Sequence, residues 1–225
     1  MKKSDTNDAS SRVPTGAVAL SFWIFFFWIS LVVLSLWGFT ADDSFIVFRY
    51  AENLASGDGL TYNAGEFVSA LTSPLHAILC TLLTLAPCSL LVSNKLLAIV
   101  ALGGSLGWAC YRLNYGPFRS LLVVGLVASS PLVLLWTLGG LETTYLLALL
   151  VILYVHFDRF REDPSGWTGL YLSITVGCCF LTRFDSILLV GPVLVHSAFR
   201  LYHHRGFTPT GFIGLLFPAA ILAGS

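Results

Sequence analysis

The sequence predicts an all-α fold, a polytopic bundle of about seven transmembrane helices, on the basis of three observations. Charged residues make up only 11% of the 225-residue chain, whereas hydrophobic residues make up 56%. The mean hydropathy is +0.81, and apolar runs separated by short polar segments fill most of the sequence. Soluble domains carry about 25% charged residues because their surfaces face water. A chain this apolar must instead place most of its surface in lipid.

The first apolar run, residues 17–39, follows a polar tail that carries Lys2, Lys3 and Arg12. The apolar segment of a signal peptide has about 7–15 residues and ends at a cleavage site of small residues. This run is longer, is rich in Trp and Phe, and ends with Trp37-Gly38-Phe39. We therefore expect a cytoplasmic tail over residues 1–16 and a transmembrane module over residues 17–225 that begins with a retained span.

The next apolar run, residues 75–86, is short and lies between Pro74 and Pro87. Crossing the hydrocarbon core takes about 20 residues, and a run of about 10–14 is more often interfacial or re-entrant. Longer apolar runs follow this one. They predict further spans over residues 96–111, 118–138, 143–157, 167–181, 186–199 and 211–225.

The distribution of Lys and Arg indicates whether the run 75–86 crosses, because short loops rich in basic residues stay cytoplasmic. Without a crossing there, nine basic residues are cytoplasmic: Lys2, Lys3, Arg12, Arg112, Arg119, Arg159, Arg161, Arg200 and Arg205. Three are then external: Arg49, Lys95 and Arg183. With a crossing, five would be inside and seven outside. The count of nine against three predicts a cytoplasmic N-terminus and one long external loop over residues 40–93.

Within this loop, residues 44–56 are expected to form a helix that lies at the membrane surface. Asp42 or Asp43 is expected to cap its N-terminus, where the helix dipole also favours a negative charge. Gly57-Asp58-Gly59 supplies the stop, and a turn is expected at Asn63-Ala64-Gly65-Glu66. The apolar residues of the helix suit a membrane interface better than water.

Three acidic side chains are the candidates for catalysis, because ionisable groups at span ends are costly and usually functional. Asp42 and Asp43 directly follow the first span and are either helix-capping acids or a general base with a neighbour that tunes it or binds a cation. Glu142 follows Gly139-Gly140 and opens a span, where the helix dipole favours an acid whether or not it serves a site. The predicted topology places all three on the extracytoplasmic side.

Four other side chains are candidates for substrate binding. Arg183 and Asp185 lie between two apolar runs, either as a local ion pair or with the planar Arg183 fork binding a phosphate. Arg49 competes for the phosphate role, although Glu52 three residues later offers it a helical ion pair. His76, at the start of the short apolar run, either packs at the interface or contacts substrate.

Composition argues against several other roles. The net charge is zero and the basic residues form no stripe, so nucleic acid is not expected as a partner. The five cysteines form no CxxC pair and have no histidine at metal-ligand spacing. We therefore expect ordinary apolar cysteines, no metal site and no cofactor, since the sequence does not indicate a divalent cation.

The motifs together resemble those of bacterial GT-C glycosyltransferases, most closely the arabinofuranosyltransferase-like group. The external loop carries the most specific part, from Asp42-Asp43 through Phe48-Arg49-Tyr50-Ala51 and Gly57-Asp58-Gly59-Leu60 to Asn63-Ala64-Gly65-Glu66. Gly140-Leu141-Glu142-Thr143 and Leu181-Thr182-Arg183-Phe184-Asp185 follow in the expected order. The group commonly has Pro where this chain has Phe184. The resemblance extends from about residue 17 to the last residue.

The resemblance implies an enzyme of the inner membrane that transfers a sugar from a polyprenyl-phosphate donor to a glycan, lipid or protein acceptor outside the cytoplasm. It implies that Asp42 is the general base, with Asp43 beside it. It maps a further cavity acid to Glu142 and a donor-phosphate contact to Arg183. Members of the family are much longer, so the chain is expected to correspond to their N-terminal module.

Two readings from other functional classes stay open. A transporter or flippase component would carry acids and helix breaks near the bilayer midplane, often in repeated halves. A non-catalytic membrane assembly protein would use small residues such as Gly103 and Gly107 for helix packing. The acids here cluster at one face and no internal repeat is visible, which favours the transferase.

Overall fold

The computed structural model describes residues 27, 30–63, 71–164 and 166–203 of the chain. Two compact units divide the chain, Met1–Gly38 and Phe39–Ser225. In the first unit, residues 30–36 are helical and are followed by a turn, so they belong to the predicted span 17–39. The predicted span 211–225 lies outside the described residues, as does the predicted turn beyond Asn63.

The described part of the second unit is helical and contains no strand, which confirms the predicted all-α class. Its helices are α1 (Asp42–Ser56), α2 (Pro74–Leu83), α3 (Leu90–Arg112), α4 (Pro117–Ala128), α5 (Pro131–Leu138), α6 (Thr143–Glu162), α7 (Gly166–Thr182) and α8 (Ile187–His203). A 3-10 turn, Phe184–Ser186, joins α7 to α8.

The N-terminus of α1 corrects one prediction. Asp42 and Asp43 do not cap the helix but form its first turn, because extended Ala41 precedes the helix and no side chain caps it. Their charge still lies beside the free N–H groups of that turn, where the helix dipole favours it. The predicted stop is confirmed, since Gly57 has a φ of 89° and its N–H donates to the carbonyl oxygens of Asn53 and Leu54.

α1 and α2 pack together through a small apolar cluster formed by Val47, Phe48, Ala51, Ala77 and Cys80. On the opposite face of α1, Phe45 and Ile46 are exposed, as suits a helix at a membrane surface. α2 has 10 residues, or roughly 15 Å at 1.5 Å per residue. That length is about half of the hydrocarbon thickness, in keeping with the predicted juxtamembrane position of the run 75–86.

α3 and α6 are long and apolar enough to cross a membrane. They have 23 and 20 residues, which correspond to roughly 35 and 30 Å. They contain the predicted spans 96–111 and 143–157, and they pack against each other. The N-terminus of α3 is capped by Ser89, whose hydroxyl accepts from the Val92 N–H.

The predicted single span 118–138 is two helices, α4 and α5, bent by 66° at a short break. Pro131 opens α5, and the Ser130 hydroxyl accepts from the Val133 N–H. Proline disfavours the α conformation of the residue before it, so the helix ends there although the apolar pattern continues. Counted as one broken span, the pair brings the candidate spans among the described residues to three.

α6, α7 and α8 share the main apolar core. It contains Leu146, Leu153, Phe160, Leu172, Val176, Cys179 and Val190. α7 is apolar but has only 17 residues, and α8 contains Pro192. The two correspond to the predicted spans 167–181 and 186–199, and the count of seven spans stays a prediction.

Candidate functional site

The turn Gly139-Gly140 joins the acidic pair to the rest of the polar cluster. The Ala41 N–H donates to the Gly139 carbonyl oxygen at 2.9 Å, and the Asn94 Nδ2 donates to the Gly140 carbonyl oxygen at 2.9 Å. Gly140 has a φ of 85°, and a Cβ placed on it would lie 3.1 Å from the Ser44 Cβ. Because the backbones approach so closely, the start of α1 lies against the turn that leads into α6.

Asp42 and Asp43 lie in the first turn of α1 with both residues exposed. The segment before them is fixed from two sides, since Ala41 bonds to Gly139 and the Lys95 Nζ donates to the Phe39 carbonyl oxygen at 2.7 Å. No recorded contact within the described residues engages either carboxylate. The pair is therefore held in place by its backbone while its oxygens stay open to solvent.

Glu142 immediately precedes α6 and is nearly buried, with 7% of the residue exposed. Its carboxylate does not cap the helix. Instead, its Oε1 accepts a hydrogen bond from the Arg183 Nη1 at 3.0 Å, and its Oε2 lies 4.0 Å from the His76 Nδ1. A buried carboxylate needs such partners because desolvation of an unpaired charge is costly.

Arg183 bridges two carboxylates. Its Nε and Nη2 donate to the two oxygens of Asp185 at 2.9 and 2.8 Å, a bidentate pair, while its Nη1 donates to Glu142. The hydrogen bonds that Arg183 donates to Asp185, together with the charge of Glu142, raise the pKa of Arg183, and the same hydrogen bonds lower the pKa of Asp185. Three of the five guanidinium donors are thus engaged, which leaves one N–H on each Nη of a side chain that is 39% exposed.

His76 lies beneath this cluster and is fully buried. Its Nε2 is 3.2 Å from the Asn94 Oδ1. Because the Asn94 amide nitrogen faces the Gly140 carbonyl oxygen, its Oδ1 must be the acceptor, so the His76 Nε2 carries the proton. The unprotonated Nδ1 then faces Glu142 and has no hydrogen-bond partner among the described residues. Burial lowers the pKa of His76, and Asn94 and Glu142 oppose that shift.

Asn94 and Tyr145, which were not among the predicted site residues, connect His76 to the Gly139-Gly140 turn and to α6. The Tyr145 hydroxyl donates toward the Asn94 Oδ1 at 2.7 Å and lies 3.0 Å from the Asn94 carbonyl oxygen. Its ring contacts the His76 ring, with 5.2 Å between centroids. Neither residue is charged, so counting charges could not identify them. The available sequence signal was the energetic cost of placing a polar side chain near hydrocarbon. Lys95, which follows Asn94 in α3, is also buried.

The seven predicted site residues thus fall into three groups. His76, Glu142, Arg183 and Asp185 form one contact network. Asp42 and Asp43 are attached to it through the backbone of Ala41 and Gly139. Arg49 is exposed on α1, and no recorded contact joins it to Glu52 or to the network within the described residues.

An apolar groove of about 440 Å³ lies between α2, α3 and α6. Leu79, Val100 and Ile152 are among its lining residues. Tyr145 also lines it, so the same residue contacts the polar network through its hydroxyl and the groove through its ring. The arrangement places a site for an apolar chain next to a site for charged groups.

Comparison with known proteins agrees with the resemblance carried by the motifs. No protein-family model matches the chain, and no solved structure matches it. The terminal β-(1→2)-arabinofuranosyltransferase of Mycobacterium tuberculosis is 27% identical over 237 aligned positions, which cover 87% of this chain and 38% of that protein. The chain thus spans well under half the length of that relative, and the distant similarity supports a relationship to glycosyltransferases.

Proposed function

We propose that this chain forms the acidic active-site module of an integral membrane glycosyltransferase. The reaction is transfer of a sugar from a polyprenyl-phosphate donor to an acceptor hydroxyl on the extracytoplasmic side. The motif resemblance and the similarity to an arabinofuranosyltransferase support this proposal. Among sugars, arabinofuranose is the first candidate because that relative is named for it.

In the proposed reaction, Asp42 accepts the proton of the acceptor hydroxyl as that oxygen bonds to the anomeric carbon of the sugar. The bond between this carbon and the donor phosphate breaks, and polyprenyl phosphate leaves. Asp43 lies beside Asp42 as a second negative charge. Open carboxylates at the start of α1 suit this role, since a base must reach its substrate within hydrogen-bond distance.

One observation carries the proposal: the hydrogen bond from the Ala41 N–H to the Gly139 carbonyl oxygen. It joins the segment bearing the acidic pair to the turn bearing Glu142. Glu142 in turn is bonded to Arg183. This link between the proposed base and the proposed cation for the leaving group supports the proposal, because departure of the phosphate is assisted by a nearby positive charge.

Arg183 would receive the donor phosphate through its two remaining N–H donors. The end of the guanidinium presents one donor on each Nη, which matches two phosphate oxygens. Asp185 and Glu142 fix the plane of the fork, so little side-chain entropy remains to be lost on binding. Asp185 and His76 serve this site as positioning residues. Arg49 lies outside the contact network and is assigned to the acceptor.

The apolar groove between α2, α3 and α6 suits the polyprenyl chain of the donor. It lies beside Tyr145, directly beneath the polar network. A transport role would instead favour ionisable groups near the middle of the spans. Here Glu142 lies at the N-terminus of α6 and Arg183 lies between α7 and the 3-10 turn, which favours chemistry at one face.

The test is Asp42→Asn in the full chain. We expect transfer of labelled arabinofuranose from a polyprenyl-phosphate donor to fall by roughly 10²- to 10⁴-fold, the usual contribution of a general base. Membrane insertion and thermal stability should stay unchanged because the side chain has no recorded contact within the described residues.

Glu52→Gln is the matched control, since Glu52 is an exposed acid on the same helix. It should retain full activity. Equal activity of Asp42→Asn and the unmodified chain would remove Asp42 from the role of base.

A further inference from the structure

A second polar cavity lies at the opposite end of the helices that carry the candidate site. Its volume is about 350 Å³, and its lining residues are Trp108, Arg112, His156, Arg159, Thr168 and Tyr171. These residues come from α3, the last turns of α6 and the start of α7. Asn94 and Arg112 are separated by roughly 27 Å along α3, so this cavity is distinct from the site around Glu142.

The cavity has the composition of an anion site. Two arginines, a histidine, a threonine and two aromatic residues line it, and none of its described lining residues carries a carboxylate. The Arg112 guanidinium lies 5.8 Å from the centre of the Trp108 ring. Its Nε is buried and has no hydrogen-bond partner among the described residues. The positively charged lining of the cavity favours an anionic ligand.

A neighbouring cavity differs from this one in that carboxylates line it. It has a volume of about 320 Å³ and is lined by Asp158, Arg161, Glu162, His196 and Arg200. There, two carboxylates accompany two arginines, so positive charge is balanced within the chain. A preference for basic residues at the C-terminal ends of helices accounts for the arginines of both cavities, but among the described residues only the first of the two has a lining without a carboxylate.

His156 lines the same cavity as the two arginines, and its Nδ1 is hydrogen-bonded to Thr175. The Thr175 hydroxyl donates to the Tyr171 carbonyl oxygen at 2.8 Å and therefore accepts from the His156 Nδ1 at 2.8 Å. In the neutral ring the Nε2 is therefore the nitrogen without a proton. The Trp108 and Tyr171 rings flank the imidazole at 5.5 and 5.7 Å.

We propose that this cavity binds the phosphate of an anionic phospholipid headgroup. The Arg112 and Arg159 side chains would receive the phosphate oxygens, with the acyl chains in the surrounding bilayer. A lipid is favoured over free phosphate because Trp108 also lines the adjoining apolar groove and Tyr171 is 52% exposed. Aromatic rings of this kind mark the membrane interface, where basic pockets between spans bind phospholipid headgroups.

The test measures lipid binding to the detergent-purified full chain by native mass spectrometry. Phosphatidylglycerol should bind tightly and phosphatidylcholine weakly. Arg112→Gln and Arg159→Gln should each weaken phosphatidylglycerol binding by roughly fivefold, the usual effect of one basic residue on an anionic lipid. Arg161→Gln, in the charge-balanced cavity, should leave the affinity unchanged. Arg159 is exposed, so its variant folds even if loss of the Arg112–Trp108 contact destabilises the other.

Two results would overturn the proposal. Equal affinity of Arg159→Gln and the unmodified chain for phosphatidylglycerol would remove the site. The second result concerns inorganic phosphate, tested at the same concentration as the lipid. If it displaces the lipid and raises the melting temperature as much as the lipid does, free phosphate is the ligand.

Discussion

The Glu142 carboxylate accepts a hydrogen bond from Arg183 at one oxygen and faces the His76 ring at the other. Asn94 fixes the proton of His76 on Nε2, so two groups that both accept hydrogen bonds face each other at 4.0 Å. Protonation of His76 would relieve this opposition, whereas burial resists it. The direction of the His76 pKa shift therefore determines how the stability of the folded protein depends on pH.

Because burial lowers the pKa of His76 in the folded protein, the unfolded chain binds the proton first as the pH falls below about 6.5. The stability contributed by neutral His76 is present above this value and is lost as the pH falls towards the folded-state pKa. Each pH unit in that window costs up to about 1.4 kcal/mol. We expect the melting temperature in detergent to fall between pH 7 and pH 5.

His76→Gln should flatten that dependence, because glutamine keeps a donor for Asn94 and does not titrate. His196→Gln alters an exposed histidine on α8 and serves as the control with an unchanged slope. Equal slopes for His76→Gln and the unmodified chain would assign the pH dependence to other groups.

At the scale of elements, the turn Gly139-Gly140 determines how α1 meets α6. Only glycine adopts the φ of 85° at Gly140 without strain, and the lack of a side chain lets Ser44 and Phe48 approach. The first turn of α1, with its acidic pair, is positioned by this contact.

Gly140→Ala should therefore cost about 1–3 kcal/mol of stability, from the left-handed backbone and the close Ser44 contact. Displacement of α1 should also reduce transferase activity by more than the loss of folded protein. Gly103→Ala is the matched control, since a Cβ there meets nothing within 4 Å and alanine favours the helix interior. Activity of Gly140→Ala in proportion to its folded fraction would show that the turn is only structural.

The elements that the sequence predicted best are those whose signals are local. The helix 44–56 was recognised, although it begins two residues earlier, because apolar spacing and a glycine stop involve neighbouring residues. The break between α4 and α5 was missed, since the residue before Pro131 interrupts the helix without interrupting the apolar pattern. The His76–Glu142 contact joins residues far apart in sequence, so charge counting predicted the shared face but not the pairing with Asn94 and Tyr145.

For the whole molecule, the position of α2 determines on which side every later segment lies. At 10 residues it is too short to cross a bilayer as a straight helix, and its buried face packs on α1 rather than standing alone. If it does not cross, both the loop before it and the loop after it are external. If it crosses, the loop after it is cytoplasmic and Glu142 and Arg183 change sides.

Native Cys88 distinguishes these two topologies, because it lies in the loop after α2 and is exposed. We expect a membrane-impermeant maleimide to label it in intact cells, with the label lost in Cys88→Ser. The other free cysteines are buried or half-buried, so the background should be low. A cysteine introduced at position 165, between α6 and α7, should react only after the membrane is permeabilised. Protection of Cys88 together with labelling at position 165 would place Glu142 and Arg183 on the cytoplasmic side.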